Sequence, residues 1–145
     1  MPASVLVALG SNLGNRELFL RRALFHLHRT ISIVRVSGMY VTDPVGTPPG
    51  SPWFLNMVVA GHTGHQPEEM LALLLEIEAR LGRTRGVRNA PRTVDLDLIF
   101  HSANLRSGEA LTLPHPRYRS REFVMKPLRE LELPWRDPAT GEGLA

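Results

Sequence analysis

At 145 residues the chain is long enough for one folded domain, able to bury roughly 68–70% of its unfolded surface, and too short for two of ordinary size. Hydrophobic residues make up 43% and charged residues 21%, ordinary for a globular protein, and no apolar run approaches the about 18 residues that a membrane span needs. Cysteine is absent, which excludes disulfides and thiolate metal sites, and the formal charge is +3, carried almost wholly by arginine, since Lys126 is the single lysine.

Met1-Pro2-Ala3-Ser4 has none of the marks of a signal peptide and leads directly into Val5-Leu6-Val7-Ala8-Leu9, so a cytoplasmic protein is expected. That apolar run, bounded by Gly10-Ser11-Asn12-Leu13-Gly14-Asn15, predicts a buried central strand and a turn. Leu20, Ala23, Leu24 and Leu27 fall at helical spacing between about Arg16 and Arg29, with Asn15 as N-cap. The alternation from Ile31 to Thr42 predicts one strand, bent at Gly38. Asp43 to Pro52 is a Pro- and Gly-rich loop of the length that is usually functional or disordered, and Trp53 to Ala60 returns as a strand with the polar Asn56 inside it.

Pro67-Glu68-Glu69 opens a second helix whose apolar stripe is Met70, Leu74, Ile77 and Leu81, and Gly82 ends it. Glu78 stands near its negative end, where an arginine would suit better, so it must pair with a neighbouring arginine or a ligand. Arg83, Arg85, Arg88 and Arg92 follow closely, and Arg117, Arg119 and Arg121 form a second cluster; a nucleotide or nucleic acid is considered for both. Leu105 to Leu113 predicts a hairpin with its tip near Ser107-Gly108. Two prolines then hold His115 extended and exposed, a last helix runs from Val124 to Leu131, and the polar tail from Pro134 to Ala145 is expected to be loosely held.

The chemistry concentrates in Pro91-Arg92-Thr93-Val94-Asp95-Leu96-Asp97-Leu98-Ile99-Phe100. As a strand it sends Val94, Leu96 and Leu98 to one face and Thr93, Asp95, Asp97 and Ile99 to the other. At about 3.3 Å per residue the two aspartates lie roughly 6.6 Å apart, close enough to hold one divalent cation or two adjacent ones. Two like charges in a half-buried sheet are costly without a cation, and arginines just upstream suggest a polyanion gripped between guanidinium groups and metal. The order of elements, βαββαβ plus a hairpin and a short helix, is that of an α+β ferredoxin-like fold with an antiparallel sheet and helices on one face, a single domain over residues 1–145.

Several fragments together resemble the 6-hydroxymethyl-7,8-dihydropterin pyrophosphokinase family of folate biosynthesis, from Val5 to about Leu131. They are Leu9-Gly10-Ser11-Asn12-Leu13-Gly14, Tyr40-Val41-Thr42-Asp43-Pro44-Val45-Gly46, Phe54-Leu55-Asn56, Glu78 with Gly82-Arg83-Thr84-Arg85, the block around Asp95, Leu113-Pro114-His115-Pro116-Arg117, and Arg121-Glu122-Phe123-Val124. The resemblance implies transfer of the terminal diphosphate of ATP to the hydroxymethyl group of the pterin, giving AMP. It implies that Asp95 and Asp97 bind two Mg²⁺ ions, and that Arg92 with Arg83 and Arg85, the latter two on a closing loop, assist catalysis. ATP would be held by Glu78, Arg85, Arg88, Arg92, Leu98, Leu111, Thr112, His115, Arg119 and Arg121. The pterin would stack between Phe54 and Phe123 and be read by Thr42, Asp43, Pro44, Val45, Asn56 and Asp95. The sequence departs from the family pattern at Asn89-Ala90, at Asp43 and Phe54, in a loop one residue short before Arg88, and in an abbreviated C-terminus.

A metal-dependent glycosyl- or nucleotidyltransferase would also use Asp-x-Asp, though usually on a larger domain. An RNA-binding module would share the βαββαβ order, but the acids in its central strand would repel a nucleic-acid backbone. The expected partners are therefore ATP and the pterin, with no nucleic acid and no membrane, in a monomer able to contact other folate enzymes.

Overall fold

A computed structural model describes residues 2–43, 49–82, 94–102, 106–108 and 111–145 of the chain. The central strand β1 (Ala3–Ser11) is almost wholly buried, which is why its sequence is a continuous apolar run rather than an alternation. It pairs antiparallel with β4 (Phe54–Thr63) on one side and with β5 (Asp95–His101) on the other. Both β2 (Ser32–Val36) and β3 (Tyr40–Thr42) pair antiparallel with the outer side of β4, giving the sheet order β2-β4-β1-β5 with β3 continuing the β4 edge.

The single strand expected over Ile31 to Thr42 is thus two, for a local reason. Ser37 exchanges hydrogen bonds with Val58, its N–H donating to the carbonyl (3.0 Å) and its Oγ accepting from the amide (2.9 Å). Gly38 then turns its N–H away from the sheet to the Glu130 carboxylate, at 3.1 and 3.0 Å. The ladder cannot continue through a residue whose donor is spent elsewhere.

Helices α1 (Arg16–His28) and α2 (Pro67–Arg80) cover one face of the sheet. Asn15 caps α1 by accepting from Leu18 N–H at 3.1 Å, and Gly82 takes up φ +86° to stop the chain after α2, both as the sequence suggests. Leu20, Ala23, Leu27, Met70, Leu74 and Ile77 bury themselves there against Val5, Val7, Leu9, Met57, Leu96 and Leu98. The two helices of the core thus share a face as expected, while the added helix α3 (Glu122–Leu131) lies on the opposite one, packing Val124, Leu128 and Leu131 against Leu6, Ala8, Val58 and Ile99. The core order is the ferredoxin-like βαββαβ, followed by the small hairpin of β6 (Arg106–Ser107) and β7 (Thr112–Leu113).

The tail expected to be loose is anchored. Asp137 is 4% and Leu144 1% exposed, and Leu144 joins the apolar cluster under α3. A hydrophobic side chain inserted into a core, with the backbone bonding that goes with it, overrides a polar composition.

Candidate active site

The site follows from strand register. Asp95 stands opposite Gly10, Gly10 opposite Asn56, and Asn56 opposite Tyr40, a row across four strands. Asp97 stands opposite Ala8 and Ala8 opposite Val58 in a second row, and Phe54 opposite Thr42 in a third. Residues paired in this way share a face, here the one that carries α3. The two aspartates are therefore on one face, as expected, half-buried and flanked by the buried Leu96 and Leu98 on the other. A bulge opposite Leu6 and Val7 puts both Ile99 and Phe100 into the α3-side cluster, which breaks the alternation just beyond Asp97.

Gly10 and Asn56 pack closely against each other. A Cβ at position 10 would stand 2.7 Å from Asn56 Oδ1 and 3.5 Å from a ring carbon of Phe54, so only glycine leaves room for the Asn56 amide. Asn56, 6% exposed, donates from Nδ2 to Thr42 Oγ1, which fixes the orientation of its amide. The loop before Phe54 is tied to the start of α1, because Arg16 donates to Trp53 O at 2.7 Å and Asn12 to Pro52 O at 3.4 Å. Phe54 and, at the start of α3, Phe123 are both half-buried, and the Arg121 guanidinium lies 5.4 Å from the Phe123 ring centroid.

Basic side chains couple to the aspartates from the segment that enters α3. His115 is half-buried rather than exposed, with its N–H donated to Ile99 O of β5 at 2.8 Å. Burial lowers the His115 pKa, helped by the charges of Arg121 and Arg117 and opposed by Asp95. Arg121 is likewise pushed down by burial and by Arg117, and supported by Asp97 and Asp95. These couplings place Asp95, Asp97, His115, Arg117 and Arg121 in one electrostatic neighbourhood.

Glu78 is 2% exposed, and its Oε2 accepts the Leu96 N–H at 2.7 Å. The awkward acid at the end of α2 thus caps the outer edge of β5 between the two aspartates. Leu98 is 4% exposed in the core beneath the sheet, so its side chain does not reach this face. Leu111 and Thr112 are half-buried at the hairpin, where Thr112 Oγ1 donates to Gly108 O at 3.1 Å. Asp43 is exposed at the end of β3. Arg119 turns the other way, its guanidinium donating to Gly143 O at 2.8 Å and lying 3.4 Å from Asp137 Oδ2. Pro44, Val45, Arg83, Arg85, Arg88 and Arg92 lie outside the described residues.

Gly10 and Arg117 were given no site role of their own in the sequence, where Gly10 stood in a turn and Arg117 in the second arginine cluster. Gly10 resembles any glycine that ends a strand, and the signal lay in its place directly after a buried run. Chemically, Asp95 and Asp97 offer hard oxygen donors only. Among the described residues no group of three or more His, Cys, Asp or Glu could hold a metal by itself. Two carboxylates with the remaining positions left to water and phosphate oxygens is the donor set that fits Mg²⁺.

The fold, with two carboxylates in register on one sheet face and basic side chains coupled to them, defines a small α+β domain of the ferredoxin-like class. The chain belongs to the 7,8-dihydro-6-hydroxymethylpterin-pyrophosphokinase (HPPK) family, whose signature matches residues 6–133. It is 48% identical over 128 residues to the 2-amino-4-hydroxy-6-hydroxymethyldihydropteridine pyrophosphokinase of Bacillus subtilis, covering 86% of this chain and 75% of that one. It is 42% identical over 128 residues to the mitochondrial folate synthesis bifunctional protein of Arabidopsis thaliana, covering 88% of this chain but 23% of that longer protein. A crystal structure of Plasmodium falciparum HPPK-DHPS shares the fold with a TM-score of 0.73 at 12% identity, over 99% of this chain and 44% of that one.

Proposed function

We propose that the chain transfers the diphosphate of ATP to the hydroxymethyl group of 6-hydroxymethyl-7,8-dihydropterin, releasing AMP, in folate biosynthesis. The observation that carries this reading is the shared face of β5: Asp95 and Asp97 lie side by side on it, Asp95 in register with Gly10 and Asn56, which would form the pterin slot, and both coupled electrostatically to Arg121. A flat heterocycle and a triphosphate would meet over the two acids.

In this reading the pterin enters beside Gly10, with Phe54 and Phe123 as its walls. The Asn56 amide, oriented by Thr42, reads its polar edge. His115, Arg121 and Arg117 hold the triphosphate and keep it aligned, and Arg92, Arg83, Arg85 and Arg88 add charge from the segment before β5. Asp95 and Asp97 would hold Mg²⁺, two ions in all. Bound there, the metal would neutralise phosphate charge and favour ionisation of the pterin hydroxyl. The hydroxyl oxygen forms a bond to the β-phosphorus and gives up its proton, while the bond from that phosphorus to the oxygen bridging to the α-phosphate breaks and AMP leaves. Arg121 and His115 would offset the negative charge that grows on the leaving AMP. Glu78 takes part by holding the Leu96 amide, which fixes the strand between the two acids.

The chain would work as a single-domain cytoplasmic monomer able to contact other folate enzymes. Among the described residues no helix is long and apolar enough to cross a membrane. The test is incubation with ATP, Mg²⁺ and the hydroxymethyl dihydropterin, with products separated by chromatography. AMP and the pterin diphosphate are expected. Release of ADP instead means single-phosphoryl transfer and overturns the reading.

A further inference from the structure

The segment after α3 doubles back and closes on the turn that carries the cations. Asp137 N–H donates to Glu142 O at 2.7 Å, Gly141 N–H to Asp137 O at 2.8 Å, and Leu144 N–H to Trp135 O at 3.2 Å. Asp137 Oδ1 accepts from Ala139 N–H at 2.8 Å, which holds its other oxygen in one direction. This small hairpin is built round a buried carboxylate, and Leu144 seals it against Tyr118 and the α3 cluster.

Tyr118 is where the hairpin meets the site. Its hydroxyl donates to Leu144 O at 3.0 Å and lies 3.4 Å from Asp137 Oδ2, and burial pushes its pKa up to about 12, so it remains a donor. Its ring carries the Arg119 guanidinium at 5.1 Å, which in turn donates to Gly143 O at 2.8 Å. Its backbone makes the short 3-10 turn: Tyr118 N–H donates to His115 O at 3.2 Å, and Tyr118 O accepts from Arg121 N–H at 3.1 Å. Tyr118 therefore holds the turn between His115 and Arg121 through its backbone, while its side chain, 3% exposed, is fixed to the hairpin.

We infer that Tyr118 and Asp137 are positioning residues for the nucleotide, the C-terminal hairpin acting through Tyr118 to set the spacing of His115 and Arg121. The inference rests on the reading that those two side chains grip the triphosphate. It also explains why Arg119, in the same basic cluster, is turned away: it ties the hairpin to the turn. Without the hydroxyl bond the turn remains, but His115 and Arg121 sample a wider range of separations and lose preorganisation for an extended polyanion.

The test is a double-mutant cycle on the full chain, read by calorimetric titration with a non-hydrolysable ATP analogue and Mg²⁺, and separately with the pterin alone. Tyr118→Phe removes only the hydroxyl and is expected to raise the analogue Kd about fivefold, the effect of one ordinary hydrogen bond, while the pterin Kd moves less than about twofold. In an Arg121→Ala background the same substitution should have less than half that effect, because it acts through the residue already removed. A lowered Tm with an unchanged analogue Kd, or full additivity with both Arg121→Ala and His115→Ala, makes Tyr118 merely structural and overturns the inference. An unchanged Kd in Arg121→Ala and His115→Ala themselves overturns the nucleotide reading, and the inference with it. Should Tyr118→Phe fail to fold, Asp137→Asn carries the same cycle, with an expected rise of about threefold.

Discussion

Gly10→Ala probes the slot with the smallest possible change. The added Cβ would lie 2.7 Å from Asn56 Oδ1 and 3.5 Å from the Phe54 ring, so the first contact is well inside van der Waals distance and the second is ordinary. Overpacking of this kind costs about 1–3 kcal/mol, against a gain of about 0.5–1 kcal/mol for replacing glycine by alanine in a strand. The net cost spans about 0–2.5 kcal/mol, with a midpoint just above 1 kcal/mol. The yielding group is the Asn56 amide, which can escape only by leaving Thr42 Oγ1, so the loss falls on the pterin slot and not on the sheet. We expect the pterin Kd to rise about tenfold, about 1.4 kcal/mol, with the ATP-analogue Kd within about twofold of the parent. Titration of each ligand separately checks this. An unchanged pterin Kd, or equal weakening of both ligands, refutes the assignment of Gly10 and Asn56 to the slot.

Asp97→Ala should lower turnover by at least about 10²-fold, the scale of losing one preorganised electrostatic group, while circular dichroism and Tm show a folded protein; near-normal turnover contradicts the metal role. Glu78→Ala strands the buried Leu96 N–H at a cost of about 1–3 kcal/mol and should lower Tm by several degrees, whereas Glu78→Gln keeps an acceptor and should lower it less; equal Tm values argue against the cap. His115 is held below the ordinary imidazole range, so its contribution to the stability of the free protein is complete above about pH 6.5 and is lost as pH falls through its lower folded value. A bound triphosphate draws the proton on, so analogue affinity should rise as pH falls from about 8 to about 6, and His115→Gln should flatten both profiles.

What the sequence revealed, and what it hid, follows from the range of the interactions. Asp95 and Asp97 were legible because strand alternation is local: a residue and its second neighbour share a face whatever the rest of the chain does. Pro67 and Gly82 marked α2 for the same reason. The division of Ile31 to Thr42 into β2 and β3 was not legible, because it depends on Glu130, about 90 residues away, taking the Gly38 N–H. Nor was the place of the tail: Trp135, Asp137 and Leu144 follow no helical or strand period, and the reason an aspartate is enclosed there lies in the Ala139 amide, the Arg119 guanidinium and the Tyr118 hydroxyl gathered round it in three dimensions. Arg117, Arg119 and Arg121 looked alike as a cluster, yet a single 3-10 turn sends Arg119 to the hairpin and leaves the other two with His115.

The α3 face of the sheet also explains how one surface serves both as core and as site. Along β1 the residues on this face are Leu6, Ala8 and Gly10, falling in size in steps, and along β5 the apolar Phe100 and Ile99 give way to Asp97 and Asp95. At the Leu6 end the side chains meet Val124 and Leu128 and contribute burial, while at the Gly10 end the same strands present the Asn56 amide and the Asp95 carboxylate. The face that carries α1 and α2 shows no such gradient, since Val5, Val7 and Leu9 are all buried. Stability is thus drawn from the unbroken face and the filled end, which lets the open end keep a glycine and two like charges that local propensity disfavours. A substitution that filled the open end would add burial and remove the site, so the gradient along β1 is itself a functional feature.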